Sequence, residues 1–181
     1  MKQHSVHMEG KMKKIPMITL LLAPYVFLAV IVLECMAEGG FTAKALETVS
    51  QVYCVMFLLV MLPNMMYAFV VKRYGYGPRE LLFWNMLLKI CNIPIFVLVF
   101  AIGIFMGAMI VGIMLIPFLL IFDYTLLLSS SMYGFSGLRG LSKAGNITKA
   151  ETIVNGICQL LFVFDVISAV YLYIRCRAYR K

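Results

Sequence analysis

The stretch LLFWNMLLKICNIPIFVLVFAIGIF, residues 81–105, decides the fold class of this protein. Lys89 is its one charged residue. The hydrocarbon core of a bilayer is about 30 Å thick and is crossed by about 20 apolar residues at a helical rise of about 1.5 Å per residue. The stretch therefore predicts a transmembrane helix.

Apolar runs of similar length fill most of the remaining chain. Hydrophobic residues make up 63% of the 181 residues and charged residues 13%, and the mean hydropathy is +0.95. A single soluble core of this size could not bury so much apolar surface. We therefore predict an all-α integral membrane helix bundle of about five transmembrane helices, with four as the alternative. The predicted spans lie near residues 15–37, 51–71, 81–105, 108–133 and 151–174.

The segment before the first run, residues 1–14, is polar and contains four lysines. The apolar run that follows is longer than the core of a signal peptide, which has about 7 to 15 residues. We therefore predict that this run is retained as the first span, although small residues near Ala37 leave cleavage there as an alternative. On this interpretation the helix bundle occupies residues 15–174, and residues 175–181 form a second basic tail.

Lysine and arginine residues are distributed along the chain in a way that predicts its orientation. Four precede the first run, one lies in the next connection, three lie in residues 72–80, none lies near Gly107 and three lie in residues 134–150. Because basic loops stay on the cytoplasmic side, we predict a cytoplasmic amino terminus in a membrane that we expect to be the plasma membrane. In a five-span protein the basic tail would lie outside, with ten basic residues inside and five outside. If one run does not cross fully, four spans with both ends inside become the natural arrangement.

Four glycines punctuate residues 134–150, which predicts a loop, and the three basic residues in it predict that the loop is cytoplasmic. At its end, Thr148 and Glu151 match a capping box, which predicts that the last helix begins near Thr148. Arg139 and Lys143 are four residues apart, as on one face of a short surface helix. We expect this basic surface to contact anionic lipid headgroups. We expect no nucleic acid, because aromatic residues do not alternate with the basic ones.

Polar side chains inside the predicted spans are the candidates for function, because an ionised group at mid-membrane costs at least about 2.5 kcal/mol and needs a partner or water. Asn85, Lys89 and Asn92 are spaced four and three residues apart and share one helical face. Asn64 follows Pro63, and its amide can bond a carbonyl that the proline leaves unpaired. The polar intramembrane candidates are Lys89, Asp123, Asp165, Asn85, Asn92, Asn64 and Gln159.

Lys89 and Asp123 are predicted to pair across a helical hairpin. The third and fourth runs have almost no loop between them, so their residues can be matched by depth from a common end. Lys89 lies nine residues after Glu80 and Asp123 lies ten residues before Tyr133, which puts both roughly 13 to 15 Å from that end. Asp165 is predicted to lie at a similar depth as a second carboxylate.

Two interpretations of this cluster are open. In the structural one, a buried pair of Lys89 and Asp123 holds the bundle together with interhelical hydrogen bonds from the buried amides. In the functional one, Asp123 or Asp165 takes up and releases a proton or cation while Lys89 acts as a movable counter-charge.

The sequence contains no cofactor fingerprint, no nucleophile with a base and no clustered metal ligands, so we predict no cofactor, no metal site and no catalytic residue. His4 and His7 lie in the polar tail and are expected to be solvated. We predict a multi-pass membrane protein that is not an enzyme. One hypothesis is a small transporter or channel that uses intramembrane carboxylates, and the alternative is a non-catalytic membrane subunit or regulator of a larger complex. The expected partners are the lipid bilayer and either a second copy of the chain or a larger membrane complex.

Overall fold

The computed structural model describes residues 14–37, 42–71, 75–107 and 116–178, and every regular element in these ranges is a helix. The predicted all-α class is therefore confirmed. A π-helical segment, Phe57–Met61, joins the second helix to the third without a break. The helices are α1 Ile15–Ala37, α2 Ala43–Met56, α3 Leu62–Val70, α4 Pro78–Gly107, α5 Ile116–Lys143, α6 Lys149–Cys158 and α7 Phe164–Ala178.

Four helical segments of the described residues are long and apolar enough to cross a membrane. They cover Ile15–Glu34, Ala43–Val70, Pro78–Ile104 and Ile116–Lys143. Large apolar side chains are exposed along all four, which is the surface that a lipid-embedded helix presents. The protein is therefore a membrane helix bundle.

The chain divides into two compact units, Met1–Asn64 and Met65–Lys181. In the first unit, α1 packs against α2, and the Phe27 and Tyr53 rings lie 5.9 Å apart. Helix α2 begins eight residues before the span predicted near residue 51, because the Thr42 hydroxyl accepts a hydrogen bond from the Ala45 amide at 3.2 Å and caps the helix there.

The π-helical segment ends two residues before Pro63, which has no backbone N–H to donate. The Asn64 side-chain amide donates to the Val60 carbonyl at 2.9 Å. Asn64 therefore supplies a side-chain donor to the turn where the proline interrupts the backbone ladder.

In the second unit, α4 packs along α5, and α7 packs against α4. A Cβ atom added at Gly137 on α5 would lie 2.8 Å from two side-chain atoms of Leu82 on α4, so a larger residue would not fit at this helix crossing. A small apolar cluster ties these helices together at one end, and its members are Leu82, Leu138, Leu141, Ile147 and Leu172.

Helix α5 continues ten residues past Tyr133, through the first ten residues of the segment 134–150 that was predicted to be a loop. That prediction was wrong because the first glycines of the segment allow close helix packing and do not break the helix. The helix ends at Lys143, and Gly145, two residues later, has a φ of +73°. The Asn146 amide donates to the Leu141 carbonyl and the Gly145 amide to the Ser142 carbonyl, both at 3.1 Å, which is a Schellman ending.

The last apolar run folds back on itself as a helical hairpin of α6 and α7. The Ser168 hydroxyl donates to the Asn155 side-chain carbonyl at 3.0 Å, whereas 13 residues of continuous helix would separate these positions by about 20 Å. Arg175 forms an ion pair with Glu151, so the start of α6 lies beside the end of α7. The run was predicted to cross the membrane as one helix; instead it turns back, as the four-span alternative requires.

Candidate functional site

The α6–α7 hairpin has a polar inner face and an apolar outer face. Asn155, Gln159, Asp165 and Ser168 are buried within the second unit. The residues at and beside the turn are exposed and apolar, and they are Ile157, Leu161, Phe162, Val163, Phe164 and Ile167. Such a hairpin fits lipid around its tip and protein around its polar side.

Lys89 and Asp165 form a buried ion pair at the hairpin tip. The Lys89 Nζ atom lies 2.8 Å from Asp165 Oδ2, and the residues are 1% and 2% exposed. Lys89 also donates to the Ser131 hydroxyl at 2.9 Å. The pair therefore connects α4 to α7, and Ser131 attaches it to α5.

The predicted pairing of Lys89 with Asp123 is wrong, because the two helices meet in a different register. Helix α5 ends at Lys143, so the residue opposite Lys89 is Ser131. Asp123 lies eight residues before Ser131, which is about 12 Å along the helix axis. Asp123 is half-buried, and its Oδ1 atom has no hydrogen-bond partner within the described part of the chain.

The break between α6 and α7 supplies backbone groups that complement the two charges. The Ser131 hydroxyl donates to the Gln159 carbonyl at 2.7 Å, at the carboxyl end of α6. Asp165 Oδ1 accepts from the Val166 amide at 2.8 Å, in the first turn of α7. A helix carries partial negative charge at its carboxyl end and partial positive charge at its amino end. The cation and the anion therefore each lie beside the helix end of opposite charge.

Three buried side-chain amides lie near this pair. Asn85 and Asn92 flank Lys89 on the same face of α4, and Gln159 lies at the end of α6; all three are fully buried. Neither the amide nitrogen nor the carbonyl oxygen of any of the three has a hydrogen-bond partner among the described residues. Unsatisfied buried amides are costly, and such positions commonly hold water or a polar ligand.

Gly134 leaves space beside α5 for the Gln159 side-chain amide. A Cβ atom at residue 134 would lie 2.2 to 2.6 Å from the three terminal atoms of the Gln159 side chain. The amide therefore occupies the space that any other residue at position 134 would fill, and α5 and α6 are fitted to each other at this level.

The base of the hairpin is held by a separate polar group. The Thr148 hydroxyl accepts from the Glu151 amide at 3.2 Å, and Glu151 Oε2 accepts from the Thr148 amide at 3.0 Å, which confirms the predicted capping box. The hydrogen bond from the Thr148 backbone holds the pKa of the Glu151 carboxyl below its usual range, and Arg175 acts in the same direction. This base contains no member of the charge pair at the tip.

Sequence reasoning missed Ser131 and Gly134 as members of the site. Their signals were present: Ser131 ends a run of three serines within a membrane helix, and Gly134 lies three residues after it on the same helix. Ser131 was assigned to the end of a span and Gly134 to the loop after it, where polar and small residues are ordinary. His4 and His7 lie outside the described residues.

A family model described as a family of unknown function, DUF6652, matches residues 13–178. The match covers all four candidate spans and the α6–α7 hairpin. Searches of curated proteins and of solved structures gave no match.

Proposed function

The chain belongs to the DUF6652 family, and we propose that it is a small membrane transporter or channel whose Lys89–Asp165 pair takes up and releases a proton. One observation carries this proposal: a buried ion pair lies at the break of a helical hairpin, near buried amides that have no hydrogen-bond partner among the described residues. In transporters, interrupted helices place charged groups and free backbone groups at membrane depth, where ions and substrates bind.

The arrangement supports a specific sequence of events. Protonation of Asp165 neutralises its carboxylate and removes the attraction to Lys89. The ammonium group keeps its hydrogen bond to Ser131, and the amino end of α7 loses its anion. Because Glu151 and Arg175 still connect the hairpin at its base, the tip can move while the base stays in place. Release of the proton restores the pair.

The topology that accompanies this proposal has four spans and a re-entrant hairpin, with both chain ends in the cytoplasm at the plasma membrane. On this arrangement 14 of the 15 basic residues other than Lys89 lie on the cytoplasmic side, and Lys44 alone lies opposite. The excess is far larger than in the five-span arrangement, as the positive-inside rule favours. A phosphatase or fluorescent reporter fused after Lys181 tests it. A cytoplasmic location of the reporter is expected, and an external carboxyl terminus would contradict the hairpin as a re-entrant element.

Proton movement is best tested in liposomes that contain the purified protein and a trapped pH-sensitive dye. A potassium gradient with valinomycin sets the potential, and internal pH is followed with time. We expect flux through the wild-type protein and loss of flux in Asp165→Asn. Asp123→Asn is the matched control, because it makes the same chemical change at a carboxylate that does not contact Lys89. Only monodisperse protein is compared.

A second variant separates the loss of proton exchange from the loss of fold. Ser131→Ala removes one acceptor of Lys89 and leaves both charges in place, so we expect folded protein with slowed flux. If monodisperse wild-type protein gives no flux above empty liposomes, the proton path is overturned. In that case the pair has a structural role, and the non-catalytic subunit or regulator becomes the better hypothesis. Stoichiometric copurification of another membrane protein would support that alternative.

A further inference from the structure

A cavity of about 560 Å³ opens in the second unit, at the amino end of α4. Its walls come from the end of α3, the turn before α4 and the last turns of α5, so three candidate spans have their ends beside it. Its volume is in the range of about 300 to 1,000 Å³ that ligand pockets occupy. The lining residues are Phe69, Tyr76, Pro78, Ser136, Arg139, Gly140 and Lys143.

Two cationic side chains line this cavity. Arg139 and Lys143 are one helical turn apart on α5, and both residues are exposed. Neither forms an ion pair or a side-chain hydrogen bond within the described part of the chain. The nearby carboxylate of Glu80 accepts a hydrogen bond from the Gly77 amide. Both cations therefore line the cavity without a competing ion pair among the described residues.

The remaining walls supply a hydroxyl group and an apolar edge. Tyr76 contributes the hydroxyl. Burial raises the pKa of Tyr76, as do nearby Tyr67 and Glu80, so its hydroxyl keeps its proton and can donate. Phe69 lies on the rim, and α3 continues from it as an exposed apolar surface through Met66 and Val70. A ligand with an anionic head and an apolar tail would match both surfaces.

We propose that this cavity binds the headgroup of an anionic phospholipid, with the phosphate at Arg139 and Lys143 and an acyl chain along the exposed face of α3. Basic pockets at the cytoplasmic ends of membrane helices bind such headgroups, and an arginine beside a phosphate can donate two hydrogen bonds. The apolar surface that leads out of the cavity favours a lipid over a soluble phosphate. This proposal is independent of the charge pair at the hairpin.

The test measures which lipid stays bound to the purified protein. The protein is reconstituted in nanodiscs of equal parts phosphatidylcholine and phosphatidylglycerol, extracted, and analysed by native mass spectrometry. We expect retained phosphatidylglycerol in the wild-type protein and roughly fivefold less in Arg139→Gln or Lys143→Gln. Lys149→Gln is the control, because Lys149 is an exposed basic residue near the same end of α5 that does not line the cavity.

Three further outcomes would overturn the proposal. Equal losses in all three variants would mean that phosphatidylglycerol is held by general surface charge. Displacement of phosphatidylglycerol by inorganic phosphate alone would assign the cavity to a soluble anion. Retention of phosphatidylcholine and phosphatidylglycerol in equal amounts would also contradict an anionic site.

Discussion

Asp165 and Asp123 both interrupt apolar runs, but the regions around them are built differently. At the α6–α7 hairpin, Asp165 has a cation and a backbone amide as partners, at 2.8 Å each. Asp123 lies within the continuous helix α5, and its Oδ1 atom has no hydrogen-bond partner among the described residues. The two carboxylates are therefore not interchangeable members of one cluster.

The difference lies in the backbone. In a continuous helix every interior N–H and C=O is already paired, so a charged side chain finds only other side chains. Where the helix is interrupted, the Gln159 carbonyl accepts from the Ser131 hydroxyl and the Val166 amide donates to Asp165, so backbone groups contribute beside the charges. A broken hairpin can thus hold a buried ion pair that an unbroken helix could not hold on its own.

The largest expected effect comes from removing one member of this pair. Lys89→Met leaves the Asp165 carboxylate buried without its cation, and loss of one partner of a buried pair costs about 3 to 5 kcal/mol in soluble proteins. Unfolding by sodium dodecyl sulfate in mixed micelles measures the change. Asp123→Asn is expected to cost less than about 1 kcal/mol, because it breaks no ion pair. Equal losses of stability in the two variants would mean that the two carboxylates do not differ in how the protein holds them.

Double variants at Lys89 and Asp165 sharpen the comparison by testing the helix ends themselves. Lys89→Met with Asp165→Leu replaces the pair by apolar side chains and should recover most of the lost stability. Exchanging the charges, by Lys89→Asp with Asp165→Lys, keeps a pair but puts a cation at the amino end of α7. We expect the exchange to recover less than the apolar double variant, by about 0.3 to 2 kcal/mol. If the exchange recovers more, the helix ends do not contribute.

A smaller loss of stability is expected when a glycine at a helix contact is replaced by alanine. Gly134→Ala would force a Cβ atom into the space of the Gln159 amide, and overpacking of this kind costs about 1 to 3 kcal/mol. Gly103→Ala is the matched control, since a Cβ atom there would lie 4.0 Å from Leu119 Cδ1, an ordinary contact. Adding Gln159→Ala to Gly134→Ala should restore stability in the same denaturation assay. No recovery would mean that Gly134 acts through another contact.

The sequence predicted the class of fold because apolar length is a local property. Runs such as residues 81–105 identify membrane helices without any knowledge of their neighbours. The capping box at Thr148 was equally local and was confirmed. The register of α4 against α5 was not local, because it depends on where α5 ends. Glycines that packing keeps within a helix look the same in sequence as glycines that end one.

The pairing of Lys89 could not be predicted for the same reason. The end of α5 was predicted at Tyr133, ten residues before its true end at Lys143. This error shifted the register of α5 against α4 and put Asp123 at the depth of Lys89. The hairpin did leave a signal, since a basic tail after an odd number of spans conflicts with the positive-inside rule. Its turn has no proline or glycine in residues 159–163, and Val163 adopts φ +72° there. The sequence therefore gave no local sign of where the run folds back.

The smallest expected effect is at the base of the hairpin, away from both carboxylates. Thr148→Ala removes the α6 cap and should cost about 1 kcal/mol. Glu151 adds a pH dependence. Its pKa is lowered in the folded protein, so it stabilises the fold above the ordinary glutamate pKa of about 4.3, and this contribution is lost as the pH falls through the folded value. Denaturation curves of the wild type and Glu151→Gln should therefore converge on acidification below that pH. Curves that stay parallel would mean that the carboxylate of Glu151 does not stabilise the base, and that the hairpin is held mainly by the charge pair at its tip.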